Sequence, residues 1–161
     1  MHLPREFCLN PGLQMQVKSG VLVAYSQQVK HFEGFSPKIY ICPAGYATIG
    51  YGHKILAHEK TLEYITDYDA ENLLKRDLLY AERAVLRYIA VELSDNQFSA
   101  LVSFTFNLGA AALQRSSLRH KLNYGLYQEG ANELLKWVYC SGKKTLGLVR
   151  RRIEEQKLFL R

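Results

Sequence analysis

Residues 33–53 read EGFSPKIYICPAGYATIGYGH, and this stretch decides the fold of the chain. After an initial carboxylate, Ile, Tyr and Thr alternate with repeated Pro and Gly, a pattern typical of short strands joined by tight turns. We therefore predict a small hairpin or meander over residues 35–56. Upstream of it, the spacing of apolar side chains predicts an amphipathic helix that begins near Gly20 and ends at Glu33. These side chains are Leu22, Tyr25, Val29 and Phe32.

The chain beyond residue 65 is predicted to be helical. Thr66 is a candidate N-cap for a long helix whose apolar side chains follow the helical period at Leu73, Leu74, Leu78, Ala81 and Val85. Ser94 and Gln97 have the capping-box spacing at the start of a second helix, and Gly109 is expected to end it. Shorter helices are predicted over residues 116–122, 126–138 and 148–160.

The composition predicts a soluble globular protein. Hydrophobic residues make up 48% and charged residues 22% of the 161 residues, which excludes a disordered chain and a fibrous repeat. Residues 1–20 carry several Pro and Gly and are predicted to be an irregular leader, and residues 21–161 are predicted to form one domain. No run approaches the roughly 20 apolar residues of a membrane span, and residues 1–16 lack the pattern of a secretion signal.

The charge and the cysteines limit the function only loosely. A net charge of +6 favours polyanions, among which nucleic acid, anionic lipid and cell-wall polymers all qualify, and it also serves plain solubility. No nucleic-acid-binding motif accompanies the charge. Cys8, Cys42 and Cys140 are an odd number at wide spacing, without a CxxC pair or a Cys/His cluster, so we expect neither a disulfide framework nor a metal site.

The segment from residue 33 to residue 53 also concentrates reactive side chains. Each has a structural interpretation when taken alone: Glu33 as an ion-pair partner, Cys42 as a small core residue and Thr48 as a strand residue. Their combination is less ordinary, because a carboxyl group at the edge of an apolar helix can keep a proton near neutral pH and act as a general acid. Eight residues separate Glu33 from Cys42, and five separate Cys42 from Thr48.

This spacing resembles that of the phage endolysin muramidases of the T4 lysozyme type, glycoside hydrolase family 24. In that family a Glu is followed after eight residues by Asp or Cys and after five more by Thr, and the segment ends in TIGYGH, here residues 48–53. Further similar blocks follow in order at residues 65–78, 96–109, 116–118 and 147–159. The resemblance implies an α+β, lysozyme-like fold, with a small β-hairpin lobe, a larger helical lobe and a substrate cleft between them.

The resemblance further implies hydrolysis of the β-1,4 bond between N-acetylmuramic acid and N-acetylglucosamine in peptidoglycan. Glu33 would donate a proton to the leaving oxygen, and Thr48 would help to place the attacking water. Cys42 stands where many relatives have Asp. A free thiol titrates near pH ~8.5, so this residue is a thiolate nucleophile, a group that orients water, or a tolerated substitute.

Other residues of the resembling blocks are assigned by position. Phe106, Asn107 and Ser117 match family positions that face the glycan, although an aromatic residue at 106 also fits a core. For His53 we expect a structural hydrogen bond, to Asp67 or Asp69, rather than a role as general base.

Three further side chains have simpler interpretations. Phe104 and Trp137 are predicted to be core aromatics. The arginine run at 150–152 is predicted to be a solvated helical face, from which one guanidinium could pair with Glu33 or with peptidoglycan carboxylates.

The expected partners are peptidoglycan glycan strands, with no nucleic acid, no stable membrane insertion and no metal or organic cofactor. We expect a monomer made in the host bacterial cytoplasm that acts on the wall in the periplasm after release by a separate holin-like protein. The alternatives are a catalytically inactive peptidoglycan-binding module, a lytic transglycosylase that cuts the same bond without water, and a basic nucleic-acid-binding domain.

Overall fold

A three-stranded antiparallel sheet forms the smaller lobe. The computed structural model describes residues 30, 33–42, 45–59 and 63–161. The strands are β1 (Ser36–Ile41), β2 (Ala47–Gly50) and β3 (His53–Lys54), in that spatial order. Tyr40 lies opposite Thr48, and Ile49 lies opposite His53. The predicted meander is therefore confirmed.

The end of a helix leads into this sheet. Lys30 and Glu33 are helical, and the amide of Gly34 donates to the carbonyl of Lys30 at 3.0 Å. Gly34 has a φ of +67°, the left-handed conformation that commonly ends a helix. The predicted helix end at Glu33 is confirmed, whereas the rest of that helix and the predicted leader at 1–20 lie outside the described residues.

Six helices form the larger lobe within the described part of the chain. They are α1 (Asp67–Tyr88), α2 (Asp95–Leu108), α3 (Ala110–Arg115), α4 (Ser117–Asn123), α5 (Tyr127–Leu134) and α6 (Leu146–Phe159). Both predicted N-caps are confirmed: Thr66 forms a capping box with Asp69, and Ser94 forms one with Gln97. Gly109 follows α2 with a φ of +85° and ends it, as predicted.

The core of the helical lobe surrounds α2, which packs against α1 and α6. Phe104 of α2 has no exposed surface and meets the ring of Trp137 edge-on at 5.4 Å, so its prediction as a core aromatic is confirmed. Side chains of this size each contribute about 1.5–3 kcal/mol on full burial. A smaller cluster of Ile49, Ile65 and Ala70 joins the sheet to α1.

The region between α5 and α6 was predicted incorrectly. The helix expected over 126–138 ends at Leu134, and a hairpin of β4 (Tyr139–Cys140) and β5 (Lys143–Lys144) follows it. Ser141 and Gly142 form its two-residue turn, and both have positive φ, as a tight hairpin turn requires. The short helix α3 was also missed.

The architecture is the predicted α+β, lysozyme-like arrangement of a small β lobe and a larger helical lobe. A cleft of about 380 Å³ lies between them, with Gly52 and Lys54 on the β side and Arg76, Phe106 and Gly109 on the helical side. Among the helices of the described residues, none is long and apolar enough to cross a membrane.

Candidate active site

Glu33 forms an ion pair with a buried arginine at the junction of the two lobes. Oε1 of Glu33 accepts from Nη1 of Arg151, whose side chain is 5% exposed, while that of Glu33 is 20% exposed. The pairing of Glu33 with one arginine of the run is confirmed. The interpretation of that run as a solvated face is wrong for Arg151 and Arg152, which are buried, and holds for the exposed Arg150.

Thr48 and Cys42 are joined through one backbone carbonyl. The hydroxyl of Thr48 donates to the carbonyl oxygen of Tyr46 at 2.9 Å, and the amide of Cys42 donates to the same oxygen at 3.0 Å. Thr48 is buried in the middle strand, with its backbone paired on both sides. Because its only hydroxyl proton is committed to Tyr46, Thr48 can offer a ligand lone pairs but no proton.

Tyr40 connects this pair to Glu33. Burial raises the pKa of Tyr40, and the negative charges of Glu33 and Cys42 raise it further. Both residues therefore lie close enough to affect one phenol, and Thr48 is its neighbour across the sheet. Tyr40 is thus related to all three residues, to Glu33 and Cys42 through their charge and to Thr48 through strand pairing.

His53 lies beside the cleft in a buried cluster of charges. Its Nδ1 is 2.6 Å from Oδ2 of Asp77, and its Nε2 is 2.9 Å from Oε2 of Glu59. Burial lowers the pKa of His53, but hydrogen bonds to the two carboxylates outweigh this effect and leave the pKa raised. The expected partners Asp67 and Asp69 are wrong: both lie at the start of α1, where they bind Tyr51 and Thr66.

The partners of His53 are themselves held in place. Burial opposes the ionisation of Glu59, but His53, the amide of Leu56 and Arg76 together lower its pKa to about 2. No direct signal in the sequence pointed to Glu59, because its importance depends on a fold that brings α1 against the short segment after β3.

A second buried network extends from Arg151 into the core. Glu155 has no exposed surface, and its Oε1 accepts from Ser103 at 2.6 Å, from Nε of Arg151 at 3.2 Å and from Nη2 of Arg152 at 2.9 Å. Nη2 of Arg152 also donates to Oδ1 of Asn107 at 3.0 Å. Sequence reasoning missed this network, although the spacing of Glu155, three and four residues after the arginines, was a usable signal.

The predicted glycan-facing residues fall in different places. Phe106 lines the cleft and also packs, half-buried, against the core of the helical lobe, so both of its interpretations stay open. Asn107 is half-buried and bound to Arg152, and Ser117 is exposed at the start of α4. Among the described residues, no group of three or more His, Cys, Asp or Glu side chains is arranged to hold a metal ion.

Comparisons with known proteins show the family and the fold. The model of the phage lysozyme family matches residues 30–155. This chain belongs to the phage lysozyme family. It is 41% identical to an endolysin of Bacillus phage B103 over 134 residues, covering 82% of this chain and 51% of that protein. An endolysin of Acyrthosiphon pisum secondary endosymbiont phage 1 is 38% identical over 136 residues, covering 81% of this chain and 91% of that protein.

Solved structures of the family share the fold. The muramidase domain of SpmX from Asticaccaulis excentricus superimposes with a TM-score of 0.76 and 37% identity, covering 86% of this chain and 95% of that chain. A mutant of P22 lysozyme superimposes with a TM-score of 0.73 and 32% identity, covering 91% of this chain and 99% of that chain. The chain thus spans about half the length of the Bacillus phage relative but nearly all of these two domains. Family membership confirms the resemblance to phage lysozymes.

Proposed function

We propose that this protein is an endolysin muramidase of the T4 lysozyme type, glycoside hydrolase family 24. It would hydrolyse the β-1,4 bond between N-acetylmuramic acid and N-acetylglucosamine in bacterial peptidoglycan. One observation carries the proposal: Glu33, the first residue of the family spacing, is bound by the buried Arg151 at the junction of the lobes, with its Oε2 next to Gly52 of the cleft. Membership of the phage lysozyme family supports the same reaction.

Glu33 is the general acid in this proposal. Its Oε1 is bound by Arg151, and its Oε2 is turned toward Gly52, which lines the cleft. Oε2 is therefore the oxygen placed to carry a proton to the leaving glycosidic oxygen. No metal or organic cofactor is needed, because the reaction requires only an acid and a positioned water.

Thr48 and Cys42 act on the attacking water. With its proton donated to Tyr46, the Thr48 hydroxyl accepts a hydrogen bond from water and so turns the water oxygen toward the sugar. Cys42 either orients the same water or supplies negative charge to the oxocarbenium-like transition state, the function of the carboxylate in relatives that have Asp there.

The glycan is held by the helical side of the cleft. Phe106 offers an aromatic face to a sugar ring. Oδ1 of Asn107 is occupied by Arg152, which leaves the amide protons of Asn107 as donors for an acetamido carbonyl. Ser117 would contact a more distant sugar, and His53 would support the β side of the cleft without touching substrate.

The biological setting follows from the proposed activity. Residues 21–161 would form the catalytic domain of a monomer made in the host cytoplasm. The protein would reach the wall from the cytoplasm through the action of a separate holin-like protein and cut glycan strands in the periplasm, causing lysis.

The test is product analysis on purified peptidoglycan in oxygen-18 water, with rapid reduction of the new ends. Hydrolysis predicts one oxygen-18 atom at each new muramic acid end, whereas anhydro ends would identify a lytic transglycosylase. Binding to walls without any cleavage would identify an inactive binding module. Glu33→Gln should abolish cleavage while the protein keeps its fold; a variant that clears walls normally would refute the assignment of the acid.

A further inference from the structure

Side chains of alternating charge run from Glu33 into the core of the helical lobe. They follow the order Glu33, Arg151, Glu155 and Arg152, and the series ends at the amide of Asn107. We propose that Glu155 is a positioning residue that sets the alkaline limit of activity by sharing the positive charge of Arg151 with Glu33. The inference rests on the proposed function of Glu33 as the general acid.

Burial makes this charge arrangement effective. Glu155 and Arg152 have no exposed surface and Arg151 has almost none, so neither water nor salt screens them well. Burial raises the pKa of Glu155, and the two guanidinium groups and the Ser103 hydroxyl oppose this by stabilising its ionised form. Because its Oε1 binds Nε of Arg151 while Nη1 of that arginine binds Glu33, one guanidinium serves two carboxylates.

The sign of the effect follows from counting charges. With Glu155 ionised, the four side chains of this series carry no net charge when Glu33 is ionised and one positive charge when Glu33 is protonated. Without Glu155, the protonated state would carry two positive charges in a buried site. A general acid must begin the reaction protonated, and Glu155 reduces the positive potential that would drive its proton off.

Other charged and titratable groups near Glu33 also affect its protonation. Glu33 is faced by Arg151 from α6 and by Tyr40 from β1, which also senses Cys42. Lys30, on the same helical turn, is paired with Glu71.

On the core side, the groups that face Glu155 come from two helices. Arg151 and Arg152 approach it from its own helix, and Ser103 approaches it from α2. Arg152 also binds Asn107, so it belongs to the glycan side of the network as well.

Two substitutions of opposite sign test the inference. The measurement is the pH profile of the initial rate of glycan cleavage on purified peptidoglycan, for protein checked by circular dichroism and thermal melting. Glu155→Gln should shift the alkaline limb to lower pH by about half a unit or more. Arg152→Gln should shift it to higher pH, because Glu155 then compensates Arg151 alone.

Glu133→Gln is the matched control. Glu133 is also buried and also binds two cations, Lys121 and Lys136, but it does not contact the Glu33 network. Glu133→Gln should lower the melting temperature without moving the alkaline limb of the pH profile. Because Cys42 is a second titrating group near Glu33, the profiles are repeated in the Cys42→Asp background, where the opposite shifts must persist.

The outcomes separate the inference from the proposed function. The role of Glu155 would be overturned if the alkaline limb lay at the same pH in all variants, or if Glu155→Gln and Arg152→Gln shifted it in the same direction. Either result would count even if Glu33→Gln is inactive. If Glu155→Gln fails to fold, Arg152→Gln decides alone, since an unmoved limb in that variant is enough to reject the inference. An active Glu33→Gln would instead remove the proposed acid itself.

Discussion

Gly52 lies so close to Glu33 that a Cβ atom at position 52 would come within 2.9 Å of Oε2 of Glu33. The same glycine has a φ of +83° and lines the cleft. Its missing side chain therefore serves two purposes: it permits the turn after β2, and it makes room for the carboxylate. This contact links the TIGYGH segment to the proposed acid.

Gly52→Ala is expected to reduce the rate of wall clearing by about ten- to a hundredfold, because displacing a reacting group by a fraction of an ångström disrupts its alignment. Turbidity loss of permeabilised cells measures the rate, and thermal melting measures stability. Gly125→Ala is the matched control, since Gly125 has a φ of +75° in open space. It should lose stability by a similar amount and keep its activity; equal losses of activity in the two variants would mean that strain alone is responsible.

Three substitutions of Cys42 separate its possible roles. Cys42→Asp should be active, because it restores the carboxylate of many relatives, and Cys42→Ala should be at least about tenfold slower. Cys42→Ser keeps a small hydrogen-bonding group but no titratable thiol. Rates on purified peptidoglycan decide: a serine variant close to wild type indicates that Cys42 orients water, and one close to alanine indicates a thiolate charge. Full activity in the alanine variant would contradict any catalytic role.

The His53 cluster should make stability depend on pH. Because the pKa of His53 is raised in the folded protein, this residue adds to the free energy of unfolding. Its contribution is complete below the pKa of the unfolded chain, near pH ~6.5, and is lost as the pH rises through the pKa of the folded protein. The lowered pKa of Glu59 means that its contribution is present above pH 4.5 and is lost as the pH falls toward about 2. Both contributions are therefore present between these limits.

His53→Asn should cost at least about 2 kcal/mol of the free energy of unfolding at pH 5.5 and clearly less at pH 9. Denaturant unfolding at the two pH values measures the difference. His58→Asn is the control, because the side chain of His58 is 75% exposed and 3.9 Å from the same glutamate. A pH-independent loss in the His53 variant would show that packing, rather than charge, explains the effect.

Glu82 is expected to destabilise the protein at neutral pH. It is 6% exposed on α1, burial alone raises its pKa, and among the described residues it has no ion-pair partner. A raised folded pKa means that stability present below the unfolded value is lost as the pH rises. Glu82→Gln should therefore raise the free energy of unfolding by about 1 kcal/mol at pH 8 and have little effect at pH 4.

The contrasting substitution is Glu133→Gln. Glu133 is equally buried, but the side chains of Lys121 and Lys136 lower its pKa. This variant should lose stability at pH 8, opposite to the Glu82 variant. A gain in both variants would show that an amide is simply better tolerated than a carboxylate at buried helical positions.

Much of the local structure was predictable, because its causes lie within a few residues of one another. The capping boxes at Thr66 and Ser94 and the end of α2 at Gly109 follow from side chains and backbone conformations that act over one helical turn. The hairpin after α5 was missed for a different reason: the Ser141-Gly142 pair signals a turn, but the same signal fits a turn between two helices and a turn between two short strands.

The candidate site was predictable as a set of residues but not as a set of contacts. The sequence by itself determined the helix end at Glu33, the strand that carries Thr48 and the spacing that marks the phage lysozyme family. Only the tertiary structure decided that Arg151, 118 residues from Glu33, is its partner and that Glu155 lies behind both. The physical reason is that the sequence of a helix predicts its charged residues to be exposed to solvent. Whether another element buries them depends on tertiary packing, here that of α2 against α6.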